Sequence, residues 1–332
     1  MGSALIPLYL VALALSAAIT YGMVHWSWRW GLVDQPGEHR SHDTVTPRGG
    51  GIGIAAALVA VLAAFAGADE LLSIQFLLAL LAGVMLVAGI GLADDRLALP
   101  AWPRLLVHLL VAGAIAWTGL PGGDWLAIAI VALGIAWAIN LHNFMDGSNG
   151  LLAGHAAIVL ATLAYAATFD LLVAGLCGAA AAAALGFLPF NFPRARIFLG
   201  DVGSGVLGLA IGVGIWQAHE RAVMLLPAGL VLASGFLFDA TATLVVRIVR
   251  RERFAQRHRE HLYQWLVRSG WSHTAVALAY WAWTAACAGI ALFLMRPLGL
   301  HMQWNVALVV LAAATAIMAF AKLALRRRLR EP

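Results

Sequence analysis

Charge is what this sequence has least of. Asp, Glu, Lys and Arg make up 11% of its 332 residues, where a soluble protein carries about 25%. Beside a hydrophobic content of 62%, that shortage excludes a soluble globular enzyme, a disordered chain and a collagen-like fibre. Cysteine is nearly absent. Cys177 and Cys287 both sit in apolar stretches, which excludes a disulfide framework and leaves them as packing residues. No Walker A sequence, dinucleotide fingerprint or GxSxG elbow occurs. The alternating pattern of a membrane β-barrel is missing too. The amino end lacks a basic n-region and a cleavage site, so its apolar stretch reads as a retained span. Ile6 stands where a myristoylation signal needs Ser or Thr. The formal net charge of +5 has a sufficient source in loops facing anionic head groups, and it points to no nucleic acid.

What is present is a series of apolar stretches, each near the roughly 20 residues that a span requires. Eleven are marked: 4–24, 49–67, 71–92, 103–119, 125–141, 151–168, 171–189, 203–217, 223–247, 273–295 and 303–323. Lipid satisfies no open backbone groups, so these are helices. The expected fold is all-α and polytopic, one transmembrane domain over 1–332 with about eleven helices. With the N-terminus placed outside, 19 of the 21 Lys and Arg fall on one set of loops and the tail, leaving Arg221 and Arg296 opposite. The richer side is then cytoplasmic, with a periplasmic N-terminus and a cytoplasmic C-terminus. The polar residues gather on that same side, in loops near 25–50, 93–104, 141–151, 190–203 and 248–272. A transporter keeps its polar groups near the midplane; polar groups at one face favour chemistry on a cytosolic substrate.

Five inner segments carry that chemistry. The first, 34–54, holds Arg48 and three glycines before a span, suited to close backbone approach and to anions at a helix start. The second holds Asp94 and Asp95, adjacent acids at a boundary that need a partner or a cation, although a solvated helix end paired with Arg96 or Arg104 would use the same residues. In the third, Asn140, Asn143, Asp146 and Asn149 offer the oxygen donors that suit Mg²⁺, although a capped turn would use the same residues. The fourth sets Asp201 in GDVGSG at a span's opening, as a metal ligand or an N-cap. The fifth is the longest, with Arg253, Arg257, Arg259, His258 and His261 placed to grip phosphate or to form a basic collar on the lipid. Together they imply metal-assisted phosphoryl transfer at a membrane face.

At these residues the chain resembles the polyprenyl-phosphate N-acetylhexosamine-1-phosphate transferases. The matching stretches are DQPGEHRSHDTVTPRGGG at 34–51, DD at 94–95, NLHNFMDGSNG at 140–150, FLGDVGSG at 198–205 and HREH at 258–261. That family includes the peptidoglycan enzyme acting on a UDP-muramoyl peptide and the initiators of O-antigen and N-glycan lipid carriers. The resemblance implies transfer of a sugar-1-phosphate from a UDP-N-acetylhexosamine to undecaprenyl phosphate at the bacterial inner membrane, releasing UMP. It implies Mg²⁺, with Mn²⁺ as a substitute, held by Asn143 and Asp201. Asn149 and Phe198 match positions near uracil, and Asp94 and Asp95 match the acids near the acceptor phosphate. Asp146 matches an acid beside the metal. His258, His261, Arg253, Arg257 and Arg259 match the phosphate- and sugar-facing loop, and Arg48 and Asn140 are further substrate-binding positions. Glu260 replaces a His of the family's last loop, and Asn149 replaces a common Asp. These departures favour the O-antigen or exopolysaccharide initiators over the muramoyl-peptide enzyme. A transporter or lipid flippase is the rival of another class.

Other polar residues stay outside this expectation. Asp239, inside the ninth stretch, is balanced between function and a bond within the bundle. His108, His155 and His301 read as structural, and Trp26, Trp28, Trp30, Trp102, Trp125 and Trp304 as interfacial belts. Gly208 and Gly212 form a GxxxG face that would support a homodimer.

Overall fold

The computed structural model describes residues 2–35, 45–66, 73–252 and 259–330. Among the described residues the regular structure is helical apart from one short ribbon, because within lipid only a helix satisfies all its own backbone groups. In order, the helices are α1 Gly2–Arg29, α2 Gly51–Phe65, α3 Ile74–Leu97, α4 Ala101–Gly119, α5 Trp125–Phe144, α6 Leu151–Ala166 and α7 Leu171–Asn191. They continue with α8 Gly200–Glu220, α9 Leu226–Leu232, α10 Ser234–Val249, α11 Leu262–Arg268, α12 His273–Gly289 and α13 Leu300–Arg330. A π-helical turn, Ile290–Met295, prolongs α12. The ribbon pairs β1 Val33–Asp34 with β2 Thr46–Pro47, antiparallel, with Asp34 opposite Thr46.

Among the described residues, eight helices are long and apolar enough to cross a membrane, or nine when α9 and α10 count as one. The sequence expectation of one straight span over 223–247 is corrected: the chain bends by 82° between α9 and α10. Two other marked stretches appear as apolar helices shorter than a full span, Gly51–Phe65 and Leu151–Ala166. The short Gly-rich stretch 203–217 is part of the longer α8.

The core lies around α7 and α8. The run Ala179–Ala184 is almost wholly buried, and its small side chains let α1 approach so closely that a Cβ on Gly186 would strike the Leu13 carbonyl. Hydroxyls on α1 bond across that contact, Ser16 Oγ to the Ala183 carbonyl and Tyr9 Oη to the Ala174 carbonyl, both at 2.8 Å. In apolar surroundings such polar links need their partners, which fixes the helices' rotation. The GxxxG face is used inside the chain: Gly208 and Gly212 pack against Ala138, Ile139 and Ile135 of α5. It is therefore not the exposed dimer face expected from the sequence. Cys177 and Cys287 are buried and unbridged, as their apolar surroundings imply.

Candidate active site

The site forms where the ends of α3, α5 and α8 meet. Their polar ends are brought together by backbone pairing that the glycines permit. Gly50 N–H donates to the Phe198 carbonyl at 3.0 Å, Gly51 N–H to the Leu199 carbonyl at 2.9 Å, and Phe198 N–H to the Pro47 carbonyl at 2.8 Å. A Cβ on Gly51 would collide with the backbone of Gly203. These amides were expected to cradle an anion; instead they bind segment 198–199, and the glycines serve the close approach of two chain segments.

That pairing sets Arg48 beside two acids. Its guanidinium reaches Asp34 at 3.0 Å and Asp95 at 3.4 Å. Gly200, at φ 74, takes a backbone conformation costly for other residues. It turns the start of α8 over Asp95, so that Asp201 N–H donates to both carboxylate oxygens at 3.2 and 3.1 Å. A Cβ at Gly200 would strike that same carboxylate. An amide in the first turn of α8 thus holds a carboxylate of the protein itself, consistent with the positive end of a helix dipole.

Ala98 ends α3 in the left-handed region at φ 50, its N–H bonded to the Asp94 carbonyl, and α4 begins two residues past Leu99. The tight return brings Arg104, in the first turns of α4, back onto the acids. One nitrogen, Nη1, lies 2.7 Å from Asp94 and 2.8 Å from Asp201. Arg48 thus joins Asp34 to Asp95, Arg104 joins Asp94 to Asp201, and the Asp201 amide on Asp95 links the two sets.

The third wall is the turn after α5. Asn143 donates to Ser204 Oγ at 3.0 Å, one turn into α8 from Asp201. Tyr263 Oη donates to the Phe144 carbonyl at 3.2 Å, and Ser148 Oγ meets His273 Nδ1 at 2.8 Å. These bonds hold the turn against α11 and α12. Asp146 forms no side-chain hydrogen bond among the described residues. Burial foremost, then the negative charges of Asp201 and Asp95, push its carboxyl up to about 8, against the opposing pull of Arg48. Burial and the acids Asp239 and Asp146 raise the Tyr263 phenol as well.

Arg48, Arg104, Asn143, Ser148, Tyr263, His273 and the acids Asp34, Asp94, Asp95, Asp146 and Asp201 line one cleft of about 1120 Å³. Of the expected site residues, Arg48, Asp94, Asp95, Asn140, Asn143, Asp146, Asn149, Phe198, Asp201 and His261 line it. Arg259 is not among the lining residues. Arg253, Arg257 and His258 lie outside the described residues. Asn140 spends its amide on the Ala136 carbonyl of its own helix, at 2.7 Å. The sequence reading had Arg104 only as a salt-bridge partner of the acid pair and missed Ser148 and His273; it set His108 aside as structural and Trp102 as interfacial, yet both line the cleft. Arg104 had one signal, a lone cation one turn into a helix beside two acids.

The described lining holds five aspartates (Asp34, Asp94, Asp95, Asp146, Asp201) and three arginines (Arg48, Arg96, Arg104), an acid excess that suits a cation. Among the described residues, no three His, Cys, Asp or Glu side chains form a closed metal cage. Mg²⁺ does not ask for one: it binds through one or two carboxylates and fills its shell with substrate phosphates and water. The partner-free carboxylate of Asp146 and the adjacent oxygens of Asp201 and Asn143 fit that mode. Away from the acids the cleft becomes apolar, lined by Leu105 and Leu109 of α4, Leu133 and Trp137 of α5, and Leu244 of α10. Leu105 and Leu133 are 44% and 60% exposed, so this wall faces the region where lipid chains lie.

A membrane-embedded helical fold with an acidic cleft at its helix ends defines a class, and sequence comparison agrees with it. Residues 77–218 match the model of glycosyl transferase family 4. The "Probable undecaprenyl-phosphate N-acetylglucosaminyl 1-phosphate transferase" of Bacillus subtilis (strain 168) is 30% identical over 263 residues, 73% of this chain and 72% of that protein. The "Phospho-N-acetylmuramoyl-pentapeptide-transferase" of Deinococcus radiodurans is 30% identical over 321 residues, 86% of this chain and 98% of that protein. The "Decaprenyl-phosphate N-acetylglucosaminephosphotransferase" of Mycobacterium tuberculosis (strain ATCC 25618 / H37Rv) is 31% identical over 312 residues, 78% and 75% of the two chains. The chain belongs to glycosyl transferase family 4.

Proposed function

We propose that this protein transfers a sugar-1-phosphate from a UDP-N-acetylhexosamine to a polyprenyl phosphate, undecaprenyl phosphate in a bacterial inner membrane. It would release UMP and start a cell-envelope polysaccharide such as O-antigen. The observation that carries the reading is the continuity of one cleft, acidic at the ends of α3 and α8 and apolar along α4, α5 and α10. A soluble diphosphate with its cation suits the acidic end, and a phosphate on an isoprenoid tail suits the junction.

An acceptor phosphate oxygen attacks the phosphorus bearing the sugar, and the bond from that phosphorus to the UMP oxygen breaks. A phosphate monoester has a second pKa of about 6, so the acceptor is largely ionised at neutral pH and needs no strong base. The barrier is repulsion between anions, which pre-set charges offset. Asp201 and Asn143, with Asp146 alongside, would hold Mg²⁺, which neutralises the diphosphate and the leaving UMP. Arg48 and Arg104 stand at the acids where the two phosphates must meet. Asp94 and Asp95 orient those arginines and the first turn of α8. His261 faces the donor side, and Asn149 with Phe198 flanks the uridine end. Every described loop that lines the cleft belongs to the basic set holding 19 of 21 Lys and Arg, which supports a cytoplasmic site and an outside N-terminus.

A second reading, transfer of phospho-muramoyl-pentapeptide, draws on the relative from Deinococcus radiodurans, 98% of which aligns with this chain. UMP release from purified protein separates the two. The expected result needs Mg²⁺, undecaprenyl phosphate and one UDP-N-acetylhexosamine, and is abolished by Asp201→Ala. Release with the UDP-muramoyl pentapeptide alone would select the second reading. No release from folded protein with any donor would revive the transporter alternative.

A further inference from the structure

The turn after α5 is bonded on both sides of Asp146. Before it, Asn143 donates to Ser204 of α8 at 3.0 Å, and the Phe144 carbonyl accepts Tyr263 Oη of α11 at 3.2 Å. After it, Ser148 meets His273 of α12 at 2.8 Å, and the Gly150 amide donates to Asn191 Oδ1, at the end of α7, at 2.5 Å. Asp146 itself makes no side-chain hydrogen bond among the described residues. Its carboxyl group lines the cleft, as do Asn143 and Asp201.

A capped turn needs only bonds to its own neighbours in the chain. Here the partners of Phe144 and Ser148 lie 119 and 125 positions away, so the turn is placed from outside. Among these partners Tyr263 bears most directly on Asp146. It is 2% exposed. Its hydroxyl donates to residue 144, and a Cβ on Gly147 would strike that same hydroxyl. The phenol therefore touches the backbone on both sides of Asp146. Phe144 is the last residue of α5, so its carbonyl has no partner within the helix. Satisfying that carbonyl accounts for the bond, but not for the contact at Gly147. The phenol is itself fixed, because α11 begins on two bonded amides. Leu262 N–H donates to Asp239 at 2.9 and 3.0 Å, and His261 N–H to Gln264 Oε1 at 3.2 Å. Such placement suits a carboxylate that meets Mg²⁺, which demands near-ideal octahedral geometry from its ligands.

We infer that Tyr263 is a positioning residue: it holds the backbone of residues 144–147 so that the Asp146 carboxylate meets a divalent cation beside Asp201 and Asn143. The inference rests on the metal role proposed above and adds to it a residue that acts through another.

The test is Mn²⁺ binding to the full-length protein, read without substrates by electron paramagnetic resonance, with thermal unfolding alongside. Tyr263→Phe keeps the ring and removes the bond to residue 144. It should weaken Mn²⁺ binding about tenfold, as loss of an outer-shell support does, and leave the unfolding midpoint nearly unchanged. Asp146→Asn should cost at least as much. Adding Tyr263→Phe to it should cost less than about twofold more, since residues acting as a unit are non-additive. Gly147→Ala, which sets a methyl against the phenol, should weaken Mn²⁺ as well and gives a second reading if Tyr263→Phe does not fold. In UMP release, Tyr263→Phe should need about tenfold more Mg²⁺ for half-maximal rate, and saturating Mg²⁺ should restore kcat to within about threefold. A merely structural tyrosine gives losses that are equal with and without Asp146, that follow the unfolding midpoint and that added metal does not rescue. Any of these would overturn the inference, as would wild-type protein that binds no Mn²⁺. The expected Mn²⁺ pattern in a protein that releases no UMP with any donor would keep Tyr263 in its role and sink the transferase reading instead.

Discussion

Arg104 and Asp201 stand 97 positions apart in the chain and 2.8 Å apart in space. The same arginine nitrogen lies 2.7 Å from Asp94, so one cation joins the C-terminal end of α3 to the N-terminal end of α8. The acids that would serve the substrates are thereby held close together, at a separation that their own repulsion opposes.

Both contacts of Arg104 run through a single nitrogen, so a point charge suffices geometrically. Arg104→Lys should retain UMP release to within about tenfold, whereas Arg104→Gln should lose about 100-fold or more, in keeping with the loss of preorganised charge stabilisation. Arg104→Gln should also destabilise the fold by about 1–3 kcal/mol, because Asp94 keeps its burial and loses its cation. Thermal unfolding and turnover assays on the two variants check this.

Asp146 gives a pH dependence of known sign. Its carboxyl titrates at about 8 in the folded protein against 3.8 ordinarily. The folded state therefore holds a proton that the unfolded chain has released. Stability from this group is fully present below about pH 4 and declines as pH rises toward 8. Asp146→Asn should flatten that slope and raise the unfolding midpoint of metal-free protein at pH 8. Binding of Mg²⁺ near pH 7 should release about one proton more from wild type than from the variant, read by calorimetry in buffers of different ionisation heat.

Gly200 is where backbone geometry and the site coincide. Gly200→Ala combines a left-handed conformation, costing about 1–2 kcal/mol, with a collision against the Asp95 carboxylate. The expected result is a lower unfolding midpoint together with near-complete loss of UMP release. Gly134, where an added Cβ meets nothing within 4 Å, is the control: Gly134→Ala should leave turnover unchanged.

The apolar wall should matter for the acceptor alone. Leu105 and Leu133 together would lose about 2–3 kcal/mol of apolar contact in Leu105→Ala/Leu133→Ala if a lipid tail covers them. KM for a long polyprenyl phosphate should then rise at least about tenfold. KM for the UDP-sugar, and for an acceptor with a tail too short to reach α5, should change little.

Much of this site was legible in the sequence because its residues sit in short, unusual polar strings between apolar runs. Asp94, Asp95, Asn143, Asp146 and Asp201 could be picked out that way, and all of them line the cleft. What stayed hidden depended on partners far apart in the chain. Arg104 was readable as a partner for the neighbouring acids Asp94 and Asp95, but its bond to Asp201, 97 positions on, was not. Gly50 and Gly51 carried the right signal for close approach, but the sequence does not say that the approaching group is segment 198–199. The GxxxG of α8 marks tight packing without saying against which helix. The bend between α9 and α10 leaves hydropathy unchanged, so 223–247 read as one span.

The central claim is that the phosphorus next to the sugar moves with it. The direct measurement uses a UDP-N-acetylhexosamine labelled with ³²P at that phosphorus, incubated with protein, Mg²⁺ and undecaprenyl phosphate, then extracted into organic solvent. The predicted result is ³²P in the lipid phase, matched mole for mole by UMP in the aqueous phase, and absent for Asp201→Ala. Sugar entering the lipid while the ³²P remains aqueous as UDP would mean glycosyl transfer and would contradict the account.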